Sequence, residues 1–102
     1  MAQRYRIYCG LTHGLYPSTL IRDEEFNAFL ADEVVTRFPG FTVYNTLGYW
    51  KGQPEETRVI EVLTDDSLVA YSDVYVIANL YKELFSQEAG LVTEEAISGH
   101  LV

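Results

Sequence analysis

The chain has 102 residues, 48% of them hydrophobic and 22% charged, and its 15 acidic against 7 basic side chains leave a formal charge of −8. That size and balance imply one globular domain, 1–102, whose small core would gain from oligomerisation, and the negative charge opposes duplex nucleic acid, whose phosphates require clustered Lys and Arg. A single cysteine, Cys9, excludes an intrachain disulfide or a cysteine-built zinc site; with no leader-like start and no run of ~20 apolar residues, the expectation is a cytoplasmic protein with no membrane partner.

Residues 4–11, RYRIYCGL, alternate as a half-buried strand does, with Tyr5, Ile7, Cys9 and Leu11 on one face and Arg4, Arg6, Tyr8 and Gly10 on the other. The turn-rich segment THGLYPSTL leads into a helix expected over 23–38, where Phe26, Phe29, Leu30, Val34 and Phe38 form an apolar stripe. Asp23, Glu24 and Glu25 favour its positive end, and Pro39-Gly40 stops it. Two strands follow, 41–50 and 57–64, joined through KGQPEE as an antiparallel hairpin. A second helix reads best from about 72 to 86, with Val74, Ile77, Ala78, Tyr81, Leu84 and Phe85 on one stripe and Leu68 and Val69 outside it. Residues 89–93 make a fourth strand, leaving 94–102 as an appended tail.

This order, β-α-β-β-α-β, predicts an α+β, ferredoxin-like fold: an antiparallel sheet with two helices on one face. Parity then assigns Tyr5, Ile7, Phe41, Val43, Ile60 and Val62 to the helix side. The open side receives Arg4, Arg6, Tyr8, Tyr44, Thr46, Trp50, Val59, Glu61 and Leu63. So aromatic a face calls for a cover, either a second copy in a homodimer or higher homo-oligomer, or a ligand.

The segments DEEFNAFLADEVVTRFPGFTVYNTLGYWKG, ETRVIEVLTDD and LYKELFSQEAGLV resemble an uncharacterised family of small bacterial proteins known only as a domain of unknown function. The family pattern is an E-F-x-x-F-L-x-x-E-V-x-x-R-F-P helix, matched from Glu25 to Pro39, then a Gly-x-Trp strand, matched by Gly48 and Trp50. An acidic pair follows, Asp65-Asp66, and a Y-x-x-x-F-x-Q-E element, Tyr81, Phe85, Gln87 and Glu88. The resemblance covers 4 to about 92 and implies a fold but no reaction. Many members resemble secreted or lipid-anchored proteins with a leader, whereas this chain begins at its first strand, as would suit a phage or cytoplasmic binding protein.

No catalytic dyad stands out. His13, in the Gly-rich CGLTHGLYP loop, occupies a place where a general base or a plain solvated residue would both fit. His100 falls in the tail, and Cys9 has the parity of a buried structural thiol. The adjacent pairs Asp65-Asp66 and Glu94-Glu95 diverge when extended and make poor metal clamps. Glu61, in mid-strand, requires a partner such as Arg4 or Arg6 if covered. Arginines 4, 6 and 58 beside Tyr8, Tyr44, Tyr49 and Trp50 combine forks for an anion with rings for a flat group. An aromatic-rich dimer interface contains the same residues.

The ligand site expected from these residues comprises Arg4, Arg6, Tyr8, His13, Tyr44, Trp50 and Glu61, and the ligand is small and anionic or nucleotide-like, with no cofactor. Three functions are open: a non-enzymatic binding module that sequesters a nucleotide-derived signal in the manner of a phage sponge, a small dimeric enzyme using His13 with Tyr8 or Tyr16, and an acidic protein–protein inhibitor.

Overall fold

The computed structural model describes residues 2–15, 19–65 and 67–99, and for 67–69 the backbone alone. Tyr16, Asp66 and His100, which enter the sequence reading, lie outside the described residues. The elements are β1 (Ala2–Gly10), α1 (Asp23–Phe29) running directly into a π-helical turn (Leu30–Val34), β2 (Thr42–Trp50), β3 (Gln53–Thr64), α2 (Ser67–Leu84) and β4 (Leu91–Ile97). The sheet order is β2-β3-β1-β4 with every neighbouring pair antiparallel. It is an α+β arrangement of four strands and two helices, compatible with the ferredoxin-like class.

Alternation in β1 is realised: Tyr5, Ile7 and Cys9 are buried, with Tyr5 opposite Val62 and Ile7 opposite Ile60. Phe26, Phe29, Val74, Ile77, Tyr81 and Phe85 from the helices join the same core, and the Phe29 and Tyr81 rings meet edge to face at 5.3 Å. Arg58 lies on this helix side, not on the open face: its Nε donates to Asn45 Oδ1, it pairs with Asp23, and its guanidinium stacks 4.9 Å from the Phe26 ring centroid.

The first helix is not the uniform α-helix expected over 23–38. Its buried positions are Phe26, Phe29, Val34 and Phe38, and the middle interval is five residues, too long for one α-turn. A π turn absorbs the excess, marked by the Val35 N–H donating to the Leu30 carbonyl at 2.9 Å. At its start the Glu25 carboxylate accepts from the Arg22 backbone and side chain, first causes of a carboxyl held below its usual range.

Helix α2 starts earlier and stops sooner than 72–86, since buried Ala70 extends the stripe of Val74, Ile77 and Tyr81 back by one turn. It ends in a Schellman motif: Ser86 takes φ 52, its N–H donates to the Glu83 carbonyl, and the Gln87 N–H donates to the Lys82 carbonyl. The β2–β3 link is also tighter than expected. Lys51 and Gly52 alone form the turn, at φ 50 and 77, so Gln53–Glu56 belong to β3. Pro54 is tolerated in that strand because β1 ends at Gly10, opposite Thr57, and leaves β3 a local edge. Strand β4 reaches Ile97 rather than stopping at 93; Glu94 and Glu95 pair with Tyr5 and Arg4 instead of beginning a tail.

On the open face, Arg4 and Arg6 pair with Glu95 and Glu61. Val59, expected to be exposed there, is 1% exposed; in the register it stands between Tyr8 and Tyr44, cross-strand neighbours on the same face large enough to shield it. Among the described residues no helix is long and apolar enough to cross a membrane.

Candidate functional site

At the end of the open face where β1 stops, two strand positions have no side chain. Gly10 stands opposite Thr57, and Gly48 stands opposite Glu55. The missing side chains leave a depression in an otherwise covered sheet, with the Tyr8 and Leu91 side chains at its border. Two loops and a hairpin raise walls around it, giving a cavity of about 630 Å³, within the usual range for small-molecule sites.

The walls are held by the sequence that makes them. The 12–14 loop docks on the end of α2: the Gly14 N–H donates to the Phe85 carbonyl at 3.0 Å, and Gln87 Nε2 donates to the Thr12 carbonyl at 2.8 Å. Only glycine fits at position 14, since a Cβ there would lie 1.5 Å from the Ser86 carbonyl oxygen. The third wall is the tip of the β2–β3 hairpin. Trp50 Nε1 donates to Glu88 Oε2 at 2.9 Å and Lys51 Nζ donates to Glu88 Oε1 at 2.5 Å, so one carboxylate ties the hairpin to the 86–90 loop. Lys51 first, then the Trp50 indole, hold the Glu88 carboxyl below its usual range.

The floor carries a second carboxylate. Glu55 lies over Gly10, where a Cβ would approach its oxygens to 2.7 Å, and Oε2 accepts the Thr12 N–H at 3.2 Å. Thr57 beside it donates through Oγ1 to the Glu55 carbonyl at 3.1 Å. His13 faces the same space; its Nδ1 accepts the Leu15 N–H at 3.1 Å, which in the neutral ring puts the proton on Nε2. The described lining thus contains two carboxylates and an imidazole, and no Lys or Arg. It favours an uncharged or cationic guest with a flat group to set against Trp50 or Tyr8.

Of the residues expected from the sequence, Tyr8, His13 and Trp50 come together on this lining. Arg4, Arg6, Tyr44 and Glu61 do not line it and form a network alongside. Arg6 Nε donates to Glu61 Oε1 at 3.0 Å and Nη1 reaches Glu95 at 3.3 Å, Arg4 Nε donates to Glu95 at 2.7 Å, and the Tyr44 hydroxyl lies 3.5 Å from Glu61. The forks expected to hold an anion end on the protein's own carboxylates. Cys9 lies in the core with its thiol pushed up to about 12 by burial, so it supplies no thiolate. Among the described residues, no three His, Cys, Asp or Glu side chains converge as a metal site.

Thr12, Glu55, Thr57, Ser86, Gln87 and Glu88 are polar lining residues that sequence reasoning missed. Gln87 and Glu88 stand in the Y-x-x-x-F-x-Q-E element that carries the family resemblance. Gly10 and Gly48 were the available signal for the floor, because a glycine inside a strand marks a close approach or an open place.

The chain belongs to the family described as "Protein of unknown function (DUF3574)", whose profile matches residues 4–99. No curated protein matches it in sequence. Among solved structures it is similar to a phage SAM lyase in complex with S-methyl-5'-thioadenosine, with TM-score 0.69 and 20% identity over 92% of this chain and 80% of that one. A phage SAM lyase in its apo state gives TM-score 0.68 and 21% identity over 91% and 78%. A de novo designed protein, Foldit4, gives 0.53 and 16% over 95% and 97%. At these identities the likeness is one of fold.

Proposed function

We propose that this DUF3574 protein is a small-molecule-binding module whose cavity takes an adenosine-derived ligand, uncharged or cationic, and withholds it from other reactions. The observation that carries this reading is the cavity itself: about 630 Å³ of space over a glycine floor, with Trp50 and Tyr8 as flat walls and Glu55 and Glu88 as acceptors. An aromatic wall suits a purine, ribose hydroxyls suit carboxylate acceptors, and a sulfonium or ammonium group suits the negative lining. A phage protein of the same fold has been solved with S-methyl-5'-thioadenosine, which supports a ligand of that size and shape. A phosphate ester would meet the Glu55 carboxylate, and the neighbouring Lys51 ammonium is already engaged by Glu88 at 2.5 Å, which argues against the anionic ligand expected from Arg4 and Arg6.

A second reading, catalysis, is favoured by the placement of His13 and Glu55 on the same cavity, alongside the fold likeness to a phage SAM lyase. Calorimetric titration of S-methyl-5'-thioadenosine, S-adenosylmethionine, AMP and ADP-ribose, followed by chromatography of the recovered ligand, separates the readings. The thioether and sulfonium compounds are expected to bind and return intact, with AMP weaker. Base–aromatic stacking contributes ~1–3 kcal/mol, so Trp50→Ala is expected to weaken binding by about 5- to 150-fold. Arg6→Ala leaves it unchanged. Turnover lost in His13→Ala moves the assignment to an enzyme. Absence of binding across the panel overturns both readings and favours the protein–protein inhibitor.

A further inference from the structure

The outer edge of β2 is unusual among the surfaces of this acidic chain. It is one of the two sheet edges, and over Thr42–Trp50 it contains no charged residue, no proline and no break in its nine-pair register with β3. Folded proteins ordinarily blunt such an edge with lysines, prolines or bulges. The other edge, β4, carries Glu94 and Glu95. Leu47 and Tyr49 on β2 are 60% and 70% exposed.

The direction of the unused backbone groups follows from one hydrogen bond. The Glu56 carbonyl accepts the Leu11 N–H at 2.9 Å, so residue 56 turns toward the β1 side, and residues 55 and 57 turn toward β2. Their partners Gly48 and Thr46 therefore direct their groups to β3. Val43, Asn45, Leu47 and Tyr49 point their N–H and C=O groups outward, a ladder that no strand among the described residues pairs with.

We infer that this edge pairs, antiparallel and two-fold symmetric, with β2 of a second copy of the chain, joining two sheets into one. Charge selects that partner, because two chains of −8 approach with least opposition where neither presents a charge. The strand is also self-complementary. With Thr46 opposite its own copy, Val43 falls opposite the partner's Tyr49 and Asn45 opposite the partner's Leu47, all of them outward-pointing positions. On the other face Tyr44 falls opposite the partner's Gly48, an aromatic ring covering a glycine. The inference does not depend on what the cavity binds.

Sedimentation equilibrium at micromolar concentration, with amide exchange followed residue by residue, tests it. The expected result is a species of twice the 11.6 kDa chain mass, with slow exchange at the Asn45 and Leu47 amides. Leu47→Lys, which places a charge on the edge, and Leu47→Pro, which deletes an outward donor, are each expected to weaken the dimer by at least about tenfold. Leu63→Lys, on the open face, leaves it unchanged. An 11.6 kDa species alone overturns the inference. So does fast exchange at Asn45 and Leu47, or a dimer lost with Leu63→Lys and indifferent to Leu47. The exchange measurement on the unaltered protein decides the matter even if a Leu47 variant misfolds.

Discussion

Replacing Gly14 with alanine is expected to detach one cavity wall while leaving the sheet intact. The added Cβ would stand 1.5 Å from the Ser86 carbonyl oxygen and 2.4 Å from its carbon. Ordinary contact begins near 3.5 Å, so one backbone segment must retreat by roughly 2 Å. Ser86 is pinned in its left-handed helix cap, so the 12–14 loop is the part that moves. Two hydrogen bonds go with it, Gly14 to Phe85 and Gln87 to Thr12. At ~0.5–1.5 kcal/mol each, the loss is about 1–3 kcal/mol. A domain of this size shifts its Tm by ~4–8 °C per kcal/mol, so a mid-range loss of about 2 kcal/mol lowers the melting temperature by roughly 8–16 °C. Thermal melts by circular dichroism measure it, with Gly40→Ala as control because a Cβ at Gly40 meets nothing within 4 Å. A Gly14→Ala protein that melts with the Gly40→Ala control would refute the reasoning, since the docked loop would then contribute nothing.

The Glu88 clasp is pH-dependent in a definite sense. Because Lys51 and the Trp50 indole hold its carboxyl below the ordinary value of 4.5, its contribution is complete above that value and is lost as pH falls through the lowered one. Trp50 is the only tryptophan, so the emission of the whole protein should change in that acidic range, and Glu88→Gln should abolish the change; an unaltered titration in the variant counts against the clasp. Cys9, fully buried with its thiol pushed up to about 12, should resist a thiol reagent at pH 8 until denaturant is added, and rapid labelling of the native protein would contradict its placement in the core.

What could be read from the sequence was what depends on neighbours a few residues apart. Alternation placed Tyr5, Ile7 and Cys9 inside, and the three-and-four spacing found both helices. Failures came where the interval was irregular or the partner distant. The five-residue step from Phe29 to Val34 looks like a helix with one member slightly out of line, and nothing local says that the backbone widens to accept it. Val59 looked exposed because parity knows faces but not that Val59 falls in register between two tyrosines, Tyr8 and Tyr44. At the cavity, Trp50, Tyr8 and His13 were legible as residue types with something to offer. Glu55 and Glu88 were two of 15 acids, and only the meeting of hairpin, sheet and loop distinguishes them.

The π turn between Phe29 and Val34 also makes the helix unequal in its tolerance of changes in length. Deleting a residue almost anywhere in a regular helix swings everything beyond it by about 100° and turns its buried face outward. Among residues 30–33 the same deletion shortens the five-residue interval to four, the spacing of an ordinary α-helix, and returns Val34 and Phe38 to the face they already occupy. The segment is in effect a surplus residue held in register, and the one stretch of this helix where loss of a codon would leave the core in place.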